Sequence, residues 1–167
     1  MENRPARLNA SRRLAWRGAM IALAMILSYA ESLIPINFAV PGAKIGLANT
    51  VTILALILLG PSDALLISSL RVIMTSILFG NAVMMIYSLA GVCFSILTMS
   101  LFYRSKKFGI IGISIGGAVS HNIGQCLTAA VLMRNRNILW YLPPLLLYGA
   151  AAGLITGIIT SEIIKRL

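Results

Sequence analysis

The sequence predicts an all-α integral membrane protein: one bundle of six transmembrane helices with both termini in the cytoplasm. Three observations carry this. First, 59% of the 167 residues are hydrophobic and only 11% are charged, and mean hydropathy is +0.92. A soluble domain carries about 25% charged residues, and disorder needs few apolar ones, so both classes are excluded. Second, the apolar mass divides into runs. A helix crosses a bilayer in about 20 residues, so the chain after its basic start supplies six spans with short loops and no second, soluble domain. Third, the positive charges are segregated between loops and tails, as membrane topology requires.

Residues 1–13 form a basic N-terminal segment with Arg4, Arg7, Arg12 and Arg13, and residues 14–167 form the membrane domain. The first span runs from Leu14 to Ile34. Ser11-Arg12-Arg13 mimics a twin-arginine signal and Ser28-Tyr29-Ala30 a cleavage site. The apolar run from Leu14 to Ile34 is longer than a signal core, which favours a membrane helix. Later spans fall at 46–60, 63–79, 82–103, 108–133 and 139–164. Gly60-Pro61-Ser62-Asp63 separates the second and third, with Asp63 read as a helix N-cap. Gly80-Asn81 breaks the third from the fourth. Arg104-Ser105-Lys106-Lys107 is the strongly basic internal loop, and Arg134-Asn135-Arg136-Asn137 joins the fifth to the sixth. Trp140 and Tyr141 suit a membrane interface, and Pro143-Pro144 suits a helix's first turn.

With the N-terminus inside, the cytoplasmic side holds ten of the fourteen Lys and Arg residues. The outer side holds Lys44, Arg134 and Arg136, and Arg71 is left within a span. The net charge of +10 is then explained by topology, not by a nucleic-acid partner. Cys93 and Cys126 lie in apolar stretches without a CxxC pattern, and read as small packing residues.

The acids are Glu2, Glu31, Asp63 and Glu162, with no near-neighbour pair to hold magnesium and a diphosphate. There is no GxxxxGK[ST] phosphate loop, one histidine builds no histidine metal site, and no nucleophile–base–acid set is suggested. The reading is a non-enzymatic chain with no cofactor and no metal.

Four signals remain. Pro41-Gly42-Ala43-Lys44-Ile45-Gly46-Leu47-Ala48-Asn49 joins the first two spans on the outer side. It is either a lid over a ligand, with Pro41, Gly42 and Gly46 making it irregular and Lys44 and Asn49 offering donors, or an ordinary connection. Arg71 within a span needs a partner or an aqueous cavity. Glu31 or an anionic ligand would serve. Ser120-His121-Asn122-Ile123-Gly124-Gln125 places His121 and Gln125 four residues apart on one face. Such groups bind a ligand or glue helices together. Finally, small residues recur at helical spacing in Ala15/Ala19, Gly112/Gly116 and Gly149/Gly153/Gly157. The last two sets fit packing inside the bundle, and the first fits docking of another membrane subunit.

The segment 41–49, Arg71 and the 120–125 run together resemble the Gx transporter family, often labelled heptaprenyl diphosphate synthase component I. The likeness extends from about Arg13 to Ile164. That family is grouped with the substrate-binding S components of energy-coupling factor (ECF) vitamin transporters. The resemblance implies an S-component-like bundle in the cell membrane that receives substrate from outside under the loop between the first two helices. It implies a coupling subunit docked at Ala15 and Ala19, and separate ATPase subunits. Lys44, Asn49, Arg71, His121, Asn122 and Gln125 would bind a small, vitamin- or precursor-like molecule, anionic if Arg71 is its partner. Two alternatives stay open. One is a non-catalytic subunit of a prenyl diphosphate synthase acting near menaquinone synthesis. The other is a membrane partner in flavin or quinone electron transfer.

Overall fold

A computed structural model describes residues 9–33 and 46–166 of the chain. It consists of six α-helices: α1 (Ala10–Leu33), α2 (Leu47–Leu58), α3 (Pro61–Phe79), α4 (Ala82–Ser105), α5 (Ile110–Leu132) and α6 (Leu142–Arg166). A 3-10 helix, Arg136–Tyr141, leads into α6. The described residues contain no strand. α1, α3, α4 and the continuous segment Arg136–Arg166 are long and apolar enough to cross a membrane. α2 has only 12 residues. α5 has 23 residues and carries the polar 120–125 run.

Local chemistry sets the boundaries. Gly60 adopts φ 99°, a region L-residues avoid, and Pro61 opens α3. The Asn81 side chain caps α4 by accepting from the Met84 N–H at 2.8 Å. Pro143 and Pro144 fall in the first turn of α6, where their missing N–H groups cost nothing. Two expectations need correction. The third helix starts at Pro61, so Asp63 sits inside its first turn and Gly60 holds the N-cap position. The sixth does not run directly from residue 139, because a 3-10 helix precedes it.

α2 is the centre of the bundle. Eight of its twelve residues are buried, and it contacts α1, α3 and α6. Val51, Ile53 and Leu56 meet Ile67 of α3, Met20 of α1, and Val92 and Ile96 of α4 in one apolar core. Large side chains on the outer surface are left bare, among them Leu14, Ile77, Val131 and Leu147. In water such a surface is a liability, and in a bilayer it is the lipid-facing belt.

α5 lies between α4 and α6, and the glycine ridge of α6 brings its backbone onto that of α5. A Cβ on Gly153 would lie 2.7 Å from Ile115 Cα, and one on Gly157 2.9 Å from Ile111 Cα. Ser114 and Thr156 share a hydrogen bond of 2.9 Å across the same seam, and Thr52 and Ser68 one of 2.8 Å between α2 and α3. Gly116 faces elsewhere, toward the Phe102 ring of α4. At the basic end, the buried Asp63 accepts from Arg13 Nε at 2.7 Å and Arg17 Nε at 2.9 Å. That clasp ties α1 to α3.

Candidate ligand cavity

The end of the bundle opposite the Arg13–Arg17–Asp63 clasp opens into a cavity of about 650 Å³. Its walls come from the C-terminal parts of α1, α3 and α5, the N-terminal parts of α2, α4 and α6, and the 3-10 helix. Successive helices run antiparallel, as the alternating ends at the cavity show. The volume lies within the range of small-molecule sites, about 300–1,000 Å³.

Six residues singled out in the sequence line this cavity: Gly46, Asn49, Arg71, His121, Asn122 and Gln125. They come from α2, its N-cap, α3 and α5, and are up to 79 positions apart in the chain. Pro41, Gly42 and Lys44 lie outside the described residues. Ala15 and Ala19 are far from the cavity, exposed near the N-terminal end of α1.

Arg71 is the pivot. Its Nη1 donates to Ser28 Oγ at 3.2 Å, and its Nε is buried without an acceptor among the described residues. Glu31 stands one helical turn beyond Ser28 and acts on Arg71 through its charge, but the two form no close ion pair among the described residues. Glu31 Oε1 instead accepts the backbone N–H groups of Gly46 and of Leu47, the latter at 3.0 Å. A carboxylate at the start of α2 satisfies orphan donors and complements the helix dipole. Sequence reasoning offered Glu31 as the partner of Arg71. The structure gives it to α2 and gives Ser28 to Arg71.

On α5 the three polar residues separate into two roles. Asn122 Nδ2 donates to the Leu145 carbonyl at 2.8 Å, so it fastens α5 to α6 while lining the wall. His121 and Gln125 turn toward α4, where a Cβ on Gly91 would lie 2.8 Å from His121 Cε1 and 2.9 Å from Gln125 Cγ. Gly91 is thus the gap that admits both side chains. Below the floor, Thr52, Ser68, Ser95 and Asn49 continue a polar strip with no room for water.

Sequence reasoning missed Ser28, Gly91 and the rings of Tyr87 and Tyr148, which also face or frame the cavity. A tyrosine in an apolar helix carries no sequence signal that it faces inward. Gly91 belongs to no small-residue repeat. Among the described residues, no three His, Cys, Asp or Glu side chains cluster as metal ligands. The arrangement can hold a polar or anionic group on Arg71 and surround the rest of a molecule with amides and rings.

No curated protein and no solved structure matches the chain. The family model for heptaprenyl diphosphate synthase component I matches residues 20–163, which takes in every lining residue of the cavity, α2 to α5 entire, and α1 and α6 except the first ten residues of the one and the last three of the other. The chain belongs to the heptaprenyl diphosphate synthase component I family.

Proposed function

We propose that this protein is the membrane-embedded substrate-binding component of a small-molecule uptake transporter of the ECF S-component type. It spans the cell membrane six times with both termini in the cytoplasm, and its cavity faces outward. One observation carries this reading. The polar residues that membrane helices ordinarily exclude converge on a single cavity, at the end away from the arginines of α1. Intramembrane charges that meet in a cavity mark substrate paths. The basic last turns of α4 and α6, with Arg104 and Lys165–Arg166, support a cytoplasmic assignment for the end that carries the α1 arginines, opposite the cavity. Lys44 and the connection it belongs to would gate entry. Ala15 and Ala19 would meet a coupling subunit, and ATPase subunits would supply the energy.

The test is native mass spectrometry of the gently solubilised complex, joined to uptake in cells carrying Arg71→Ala. The reading expects a coupling subunit, ATPases and a retained small molecule, with uptake lost although the variant folds. A complex with no coupling subunit, no ATPases and no retained small molecule would overturn it, and unchanged ligand affinity in folded Arg71→Ala protein would remove Arg71 from the site.

The family description favours a second reading, a non-catalytic membrane subunit beside a prenyl diphosphate synthase. It predicts that a soluble subunit bearing aspartate motifs needs this chain for activity. Full activity of that subunit alone would remove it.

A further inference from the structure

The cavity is not uniform along its length. Among the described lining residues, Arg71 is the one fixed cation and Glu31 the one carboxylate. Glu31 is already engaged, since its Oε1 accepts two backbone N–H groups of α2. Arg71 is not: a single hydroxyl, Ser28, serves a five-donor guanidinium, and its Nε is buried with no acceptor among the described residues. A buried donor left unmade is costly, and a planar guanidinium is satisfied best by a carboxylate accepting two parallel hydrogen bonds. The floor also carries the amides of Asn49 and Gln125, which make no side-chain hydrogen bond among the described residues.

Toward the mouth the chemistry changes. Phe79 ends α3 eight residues after Arg71, about 12 Å along the helix axis. Tyr87, Tyr141 and Tyr148 reach the cavity from α4, the 3-10 helix and α6. Rings of this kind offer flat apolar faces for stacking. A diphosphate is a poor fit at this floor. One arginine neutralises one of its several charges, and the Glu31 carboxylate repels the rest.

Resting on the capture reading above, we infer that the cavity takes an amphipathic monocarboxylate. Its carboxylate sits on Arg71 at the floor, and its flat apolar body lies among the aromatic rings toward the mouth.

The experiment compares small molecules retained by the full chain with those retained by Arg71→Gln, both purified in nanodiscs. Each extract is analysed by mass spectrometry before and after methyl esterification. The expected species contains no phosphorus, gains one methyl group, and falls about tenfold or more in the variant, as for a lost charge-assisted contact. Arg71→Lys keeps the charge without the fork, so its retention falls between the two. It also serves if Arg71→Gln does not fold. A phosphorylated, polycarboxylated or uncharged species, or equal retention by a folded Arg71→Gln chain, overturns the monocarboxylate while capture stands. If the wild type retains nothing, thermal melting is followed with indole-3-acetate, its uncharged amide and geranyl diphosphate. Stabilisation by the acid alone supports the inference. Stabilisation by the diphosphate or equally by the amide overturns it, and no stabilisation by any of them overturns capture as well.

Discussion

Replacing Arg13 and Arg17 together by alanine leaves the Asp63 carboxylate inside the bundle without a cationic partner among the described residues. Asp63 is 1% exposed, whereas the two arginine side chains are 44% and 30% exposed. The two halves of the clasp therefore respond differently to deletion. An unpaired buried charge costs about 3–5 kcal/mol, so Arg13→Ala/Arg17→Ala destabilises by about that amount. Asp63→Ala removes the charge itself and frees two arginines that already reach solvent or lipid headgroups. Charge-assisted hydrogen bonds are worth about 1.5–3 kcal/mol when buried, and partial exposure reduces this, so Asp63→Ala costs about 1–2 kcal/mol. The triple variant then lies near Asp63→Ala, about 2–3 kcal/mol more stable than the arginine double variant. Unfolding of micelle-solubilised protein by SDS titration, followed by far-UV circular dichroism, measures all four chains. The reasoning is refuted if Asp63→Ala is as damaging as the double variant, or if adding it to the double variant lowers stability further.

Four other outcomes follow from contacts elsewhere in the bundle. Gly153→Ala drives a Cβ to 2.7 Å from Ile115 Cα, a backbone atom that cannot turn aside, and costs about 1–3 kcal/mol in the same titration. Gly18→Ala meets nothing within 4 Å and stays within about 0.5 kcal/mol of wild type. Gly91→Ala displaces His121 and Gln125, whose side chains have the cavity to move into, so ligand retention falls while the SDS midpoint holds. Glu31→Ala removes the acceptor of the Gly46 and Leu47 amides, and loss of a cap of about 1–2 kcal/mol speeds hydrogen exchange there about 5–30-fold. Unchanged exchange would show that Glu31 does not hold the start of α2.

The helices were legible because their signals are local. Apolar runs of membrane length are interrupted at Gly60-Pro61, Gly80-Asn81 and Pro143-Pro144, and these are where the elements change. The cavity wall was partly legible for a related reason. Arg71, His121 and Gln125 cannot face lipid, so they had to meet somewhere, and α3 and α5 are both neighbours of α4. What was not legible depends on distance along the chain. Asp63 has the residue type of a cap, and its actual partners lie 50 and 46 residues upstream. The choice of Ser28 over Glu31 as the Arg71 acceptor turns on the rotation of α1, which no periodicity fixes. The 3-10 helix at 136–141 lacks the apolar spacing of its neighbours and reads as loop.

That rotation of α1 has a physical cause in the polar contacts. Only Met20, Ala24 and Ser28 are buried on this 24-residue helix, too few to lock its orientation by apolar packing. Polar contacts do it instead, at both ends. Arg13 and Arg17 hold Asp63 at one end, and Ser28 and Glu31 hold Arg71 and the start of α2 at the other. Arg13, Arg17, Met20, Ala24, Ser28 and Glu31 recur at three- and four-residue spacing, which is one helical face. The opposite face, with Ala15, Gly18, Ala19 and Ala22, is exposed as a consequence. A small-residue surface is therefore presented by the same helix that supplies Ser28 and Glu31 to the cavity. Its angle is set by four polar residues, and substituting any of them changes how that surface is aimed.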